Sequence, residues 1–263
     1  MDPFRSTTAL ITGASRGIGA ELALALAGRG ADLVLVARDA ERLETVAARA
    51  RVLGVAVRTL PADLALPETP RRIVATLDAL GVTVDHLVNN AGIGDHGRFA
   101  AVPVERHLRA VDVNLRAAVE LTGRLLPGMI ARRRGGVLSV ASTAAFQGLP
   151  FLAIYGGTKA FLLTWTEALR YELRGSGVRA CCLCPGPVDT EFFAANRLRF
   201  RPPRLATHSP REVAEAGLRG YRRGRGLVVP GLGNRLGAWG TRLFPRALVV
   251  RVASRYARRG ADD

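Results

Sequence analysis

The sequence predicts a doubly wound α/β fold: an open sheet of about seven parallel strands, helices on both faces, in a single domain with a basic helical extension. Short apolar runs alternate with longer stretches of helical periodicity up to about residue 190, the pattern of successive βαβ units. The runs are near-continuous in Val, Leu, Ile and Ala rather than alternating with polar residues, which suits strands buried on both faces. At 263 residues with 48% hydrophobic content, the chain can bury one sizeable core, and no repeat or low-complexity linker divides it.

Taken in order, the strands are expected at 8–12, 32–37, 56–60, 86–89, 136–141, 178–183 and 227–229. Each is an apolar run of strand length bounded by Gly, Pro, Asp or Asn. Helical periodicity falls at about 17–29, 40–53, 67–80, 103–133, 155–174 and 210–222, several opened by an Asp, Ser or Pro start signal. Residues 197–210, with three prolines and four arginines, read as an irregular excursion. The domain is assigned to residues 1–233, with a substrate segment at about 190–210, and the extension to residues 234–263.

Composition limits the functional classes. No stretch approaches the ~20 apolar residues of a membrane-spanning helix, and Met1-Asp2-Pro3-Phe4-Arg5 lacks a signal-peptide core, so a cytoplasmic location is expected. Cys181, Cys182 and Cys184 lie together in one buried strand pattern and read as packing residues, not a disulfide framework. His86, His96, His107 and His208 show no metal-ligand spacing, so no metal is expected. The net charge of +16 invites a nucleic-acid reading, but it is lopsided. Residues 1–196 carry +4 and residues 197–263 carry +12, without the aromatic interleaving of a nucleic-acid surface before Trp239.

The first strand runs into Thr12-Gly13-Ala14-Ser15-Arg16-Gly17-Ile18-Gly19 and then an Ala/Leu helix. That is the strand, glycine turn and helix that a dinucleotide requires: glycines admit the pyrophosphate and the helix N-terminus offers free N–H groups. The second strand ends at Val36-Ala37-Arg38, where an NAD site would offer a carboxylate to the ribose hydroxyls. Ala37 offers none, while Arg38 and Arg16 supply two guanidiniums suited to a 2′-phosphate, so NADP(H) is the expected cofactor. Asp39 reads as the N-cap of the next helix.

Tyr155 and Lys159 stand one helical turn apart, so an ammonium can sit beside a phenol and is expected to lower its pKa. Lys159 is the one lysine among 38 basic residues, which suggests a site that needs a compact ammonium. Ser142 follows the fifth strand at the carboxyl edge of the sheet, and Asn114 falls inside a long apolar helix where an amide is unfavourable without a reason.

These residues together resemble the short-chain dehydrogenase/reductase family, with its Rossmann-type fold and its NADP(H)-preferring, ketoreductase-like members. The GxxxGxG turn, Asp63-Leu64, Asn90-Ala91-Gly92, Asn114, Ser142, Tyr155-Gly-Gly-Thr-Lys159 and Pro185-Gly186-Pro187-Val188-Asp189-Thr190 match its motifs over roughly residues 7–190. The resemblance implies that Gly13, Ser15, Arg16, Gly17, Ile18, Gly19, Arg38, Asp63, Leu64, Asn90, Ala91, Gly92, Pro185, Gly186, Val188 and Thr190, with Tyr155 and Lys159, bind the cofactor. It implies that Ser142 holds a substrate carbonyl, Tyr155 protonates it, Lys159 tunes Tyr155 and holds the nicotinamide ribose, and Asn114 holds a water in line with the lysine. It also implies a homodimer or homotetramer.

Glu191-Phe192-Phe193 would begin the substrate wall, apolar near the chemistry and basic further out, which suits a lipophilic ketone or a 3-oxoacyl chain on an anionic handle. The ending Val228-Val229-Pro230-Gly231 departs from many fatty-acid-synthesis ketoreductases and keeps a hydroxysteroid or other hydrophobic alcohol open as the alternative substrate. A non-catalytic nucleotide-sensing or nucleic-acid-binding protein is the remoter alternative. Beyond residue 233, Leu236, Trp239, Leu243, Leu248, Val252 and Tyr256 recur at three to five residues, with Arg235, Arg242, Arg246, Arg251, Arg255, Arg258 and Arg259 between them and a break at Pro245. An amphipathic helix pair follows, packing either on the body or a partner subunit, or lying on an anionic membrane surface.

Overall fold

Seven strands form the sheet: β1 (Thr8–Thr12), β2 (Asp32–Ala37), β3 (Val57–Pro61), β4 (His86–Asn89), β5 (Gly136–Val140), β6 (Arg179–Leu183) and β7 (Leu227–Val228). Their order is β3-β2-β1-β4-β5-β6-β7 and every pairing is parallel. The computed structural model describes residues 2–192 and 207–257, of residues 256–257 the backbone alone. The chain starts at the centre of the sheet, moves to one edge and returns past β1. The carboxyl ends of β1 and β4 therefore flank the point where the winding reverses, and a crevice opens there.

The pleat divides the core between two faces. Ile11, Leu33, Leu35 and Leu138 point toward α1 (Gly17–Ala27), α2 (Ala40–Arg51) and α7 (Pro210–Arg222). Their neighbours Leu10, Val34, Val36 and Val137 point toward α3 (Thr69–Ala79), α5 (Ala117–Ala131) and α6 (Ala153–Glu172). Burial of alternate residues on both sides is why these strands read as continuous apolar runs. Asp39 caps α2 by accepting from the Arg42 N–H, and Ser209 with Glu212 forms a reciprocal capping box at α7.

Strand positions agree with the sequence pattern to within a residue at each end. The long helix expected over 103–133 is instead α4 (Val104–Val111), one wide π turn over Asp112–Arg116, and then α5. A single extra residue per turn leaves the apolar spacing on either side nearly unchanged, so periodicity could not reveal it. The expected excursion over 197–210 lies mostly outside the described residues, as do Phe193, Arg258 and Arg259. Its end is pinned, however: Val188 bridges His208 in parallel, and Pro210 already opens α7. The extension folds as α8 (Leu232–Gly240) and α9 (Arg246–Ala257), and no described helix is long and apolar enough to cross a membrane.

Candidate active site

A cleft of about 750 Å³ opens at the carboxyl ends of the strands. It is lined by the glycine turn (Gly13, Ser15, Arg16, Gly17, Ile18, Gly19), by Arg38, Asp63 and Leu64, and by Asn90, Ala91 and Gly92. Its other wall holds Ser142, Tyr155, Lys159, Pro185, Gly186, Val188 and Thr190. Of the expected site residues only Asn114 stands one layer behind it.

The glycine turn is fixed by close approach. Gly13 has φ +67°, and a side chain on Gly19 would sit 2.2 Å from the Gly13 carbonyl oxygen. Asn90 locks the turn to the end of β4: its Nδ2 donates to the Thr12 and Gly13 carbonyls at 2.8 and 3.1 Å, and its backbone N–H donates to Thr12 Oγ1. The helix N-terminus behind Gly17 carries no side-chain cap, so its N–H groups face the cleft. This cradle fits a dinucleotide pyrophosphate.

On the adenosine side Ala37 carries no carboxylate and Arg38 is exposed at the rim. Burial alone would raise the Asp63 carboxyl. The Ala65 N–H, the Arg109 guanidinium at 2.7 Å and the charge of Arg38 outweigh it and hold Asp63 below the usual range. Glu191 lies across the rim, accepting from Arg42 at 2.7 Å and Arg16 at 3.1 Å, and those two cations hold its carboxyl low. Arg42 was missed by sequence reasoning. It lies four residues past Arg38 in the first turn of α2, a spacing that could have marked it. Arg109 gave no signal, because only the fold carries it across to Asp63.

At the other end of the cleft, Lys159 is 4% exposed and donates to the Val140 carbonyl at 2.8 Å. Burial pulls its ammonium down to about 8. Its Nζ lies 5.7 Å from the centroid of the Tyr155 ring, so spacing did bring the pair together. The expected depression of Tyr155 is not met. Burial of the phenol raises its pKa above 10, only partly opposed by a hydrogen bond with Ser142. Lys159 donates to Val140 and not to the phenol oxygen, so no such contact offsets the burial.

Ser142 Oγ accepts from the Ala144 N–H at 3.1 Å, which leaves its own proton available to donate. Asn114, in the π turn, is 1% exposed and its amide is committed. Oδ1 accepts from Ile93 N–H, and Nδ2 donates to the Ile93 carbonyl and to Thr158 Oγ1, each at 2.9 Å. It thereby ties the Gly92–Ile93 bend to the residue beside Lys159. Phe192 packs on Tyr155 with ring centroids 5.6 Å apart, an apolar wall beside the phenol.

A strand–glycine-turn–helix cradle thus shares one cleft with a serine, a phenol and an ammonium at its other end. The short chain dehydrogenase family profile matches residues 7–199, and the chain belongs to that family. Over 217 residues it is 36% identical to the ketoacyl reductase HetN of Nostoc sp., covering 82% of this chain and 75% of the relative. Over 222 residues it is 36% identical to a very-long-chain 3-oxoacyl-CoA reductase of Phaeosphaeria nodorum, covering 81% of this chain and 63% of that one. A short-chain dehydrogenase from Sphingobium yanoikuyae, solved in complex with NADPH, is 34% identical and superposes with a TM-score of 0.81 over 90% of this chain and 94% of its own.

Proposed function

We propose that the protein is an NADPH-dependent reductase of a lipophilic ketone or 3-oxoacyl chain. The observation that carries this reading is a phenol set beside Ser142 and Lys159 at one end of a cleft whose other end is rimmed by Arg16, Arg38 and Arg42 without a carboxylate at Ala37. A protonated Tyr155 is a donor, which is what reduction of a carbonyl needs, and three guanidiniums suit a 2′-phosphate.

The glycine turn would hold the pyrophosphate, Arg16, Arg38 and Arg42 the adenosine phosphate, and Lys159 with the Pro185–Thr190 strap the nicotinamide half. Bound there, NADPH supplies the hydride. The Ser142 hydroxyl would donate a hydrogen bond to the substrate carbonyl oxygen and keep its proton, while its lone pair accepts from the Ala144 N–H. Tyr155 transfers its proton to that same oxygen as charge develops on it. Swung from Val140 toward the phenol, the Lys159 ammonium, 5.7 Å from the ring centroid, would stabilise the phenolate left behind. Asn114 positions Thr158 and the Ile93 bend around that ammonium. The apolar wall of Phe192 favours a hydrophobic chain, in keeping with the two ketoacyl relatives.

The test is a panel of ketones and 3-oxoacyl thioesters assayed with NADPH and with NADH, on the wild type and on Arg38→Asp. Expected are turnover of hydrophobic carbonyls, a preference for NADPH, and a selective loss of NADPH use in the variant. Equal kcat/KM for the two cofactors would overturn the cofactor assignment.

A further inference from the structure

The pair of helices α8 and α9 shows a surface the enzyme chemistry does not use. Trp239 is 67% exposed, Leu243 79% and Phe244 59%, and Leu236, Leu248 and Val252 are exposed beside them. An apolar set of this size on one short extension is unusual for a surface that faces only water. The charge around it has one sign. Residues 216–257 contain nine arginines and no acidic residue. Arg235, Arg242, Arg246, Arg251 and Arg255 are all exposed, and none forms an ion pair with a described residue.

The inner side of the pair is thin and sits on the cleft. Ala238 is buried, Val250 packs where a side chain on Gly148 would lie 3.0 Å from it, and Asn234 closes in the same way on Gly186 at 2.4 Å. Gly186 lines the cleft, as do Gln147, Leu149 and Leu152 around Gly148. The helices therefore frame its substrate end.

We propose that this surface docks on an anionic lipid bilayer and sets the substrate end of the cleft against it. A second copy of the chain fits poorly, because a two-fold contact brings a patch against itself and would set these arginines against arginines with no described carboxylate between them. A bilayer interface satisfies both halves: phosphates and anionic headgroups for the guanidiniums, and the headgroup–acyl boundary for Trp239, Leu243 and Phe244. Arginine stems can lie along the apolar surface while their heads reach the phosphates. Docking stands on the surface alone. That it delivers substrate rests on the lipophilic carbonyl proposed above, which would then enter from the lipid without crossing water.

The test sediments the full chain with phosphatidylcholine vesicles and with vesicles of equimolar phosphatidylcholine and phosphatidylserine. Binding about tenfold or more stronger to the second, weakened by added salt, is expected. The double substitution Trp239→Ser with Leu243→Ser should abolish binding while leaving turnover of a water-soluble ketone with NADPH unchanged. Should that variant lose turnover through misfolding, Arg242→Gln with Arg246→Gln replaces it and should lose the preference for the anionic vesicles. Absent binding, equal binding to both vesicle types, or binding unaffected by the substitutions would overturn the proposal. So would a wild-type dimer that the double variant dissolves without any vesicle binding, which gives the patch to a second copy. If the wild type reduces no carbonyl, the functional reading fails while the vesicle result still decides the docking.

Discussion

Replacing Lys159 by Met should make the protein more stable at neutral pH, and the gain should vanish at high pH. Lys159 is fully enclosed, and its ammonium titrates at about 8 where an unfolded lysine titrates at 10.5. That fall corresponds to about 3 kcal/mol against the charged form in the folded chain. The folded state releases the proton first, so between pH 8 and 10.5 the unfolded chain binds more protons and stability rises with pH. Below pH 8 the full cost is present. Lys159→Met removes the titrating group, so its stability relative to wild type should be greatest below pH 8 and should decline by about 3 kcal/mol toward pH 10.5. The hydrogen bond to Val140 is already contained in the folded pKa and adds nothing further to the slope. Urea unfolding of both proteins at several pH values measures it. A stability difference independent of pH between 7 and 10.5 would refute the assignment of a buried, depressed ammonium.

Three further outcomes follow. His86 is buried against Tyr221 and Phe4, and burial brings its pKa down from 6.5 to about 4. Stability should therefore fall as pH drops through that window, by up to about 3 kcal/mol, and the dependence should flatten in His86→Gln when Tm is followed against pH. Glu191→Gln removes a carboxylate from the Arg16 and Arg42 pair, and titration should show NADPH binding tightened by about threefold with NADH little changed. Gly19→Ala should abolish cofactor binding, since its side chain would sit 2.2 Å from the Gly13 carbonyl; calorimetry that shows unaltered affinity would contradict the cradle.

Most of the sheet was legible because a doubly wound strand is buried on both faces, and continuous apolar runs such as 32–37 cannot be solvated. The glycine turn and the Tyr155–Lys159 spacing were legible because local geometry alone brings their groups together. What sequence could not show depends on contacts between distant segments. The π turn at Asn114 alters one turn's hydrogen bonding without altering the apolar pattern. The rise in the Tyr155 pKa follows from its burial, which spacing does not encode. Glu191 meets Arg16 and Arg42 across the rim only after the chain has crossed from β1 to β6. The exposure of Trp239 and Leu243 likewise tells that this stripe does not pack on the chain's own body, which a helical period alone does not reveal.

The central claim is that Tyr155 protonates a carbonyl in an NADPH-dependent reduction. Steady-state turnover of the best ketone in the panel by Tyr155→Phe, with NADPH binding measured by titration on the same sample, tests it most directly. The expected outcome is a kcat lower by about 10²–10⁴-fold with NADPH affinity nearly unchanged. A variant that binds NADPH normally and keeps more than about a tenth of wild-type kcat would contradict the claim, because loss of a true general acid costs far more.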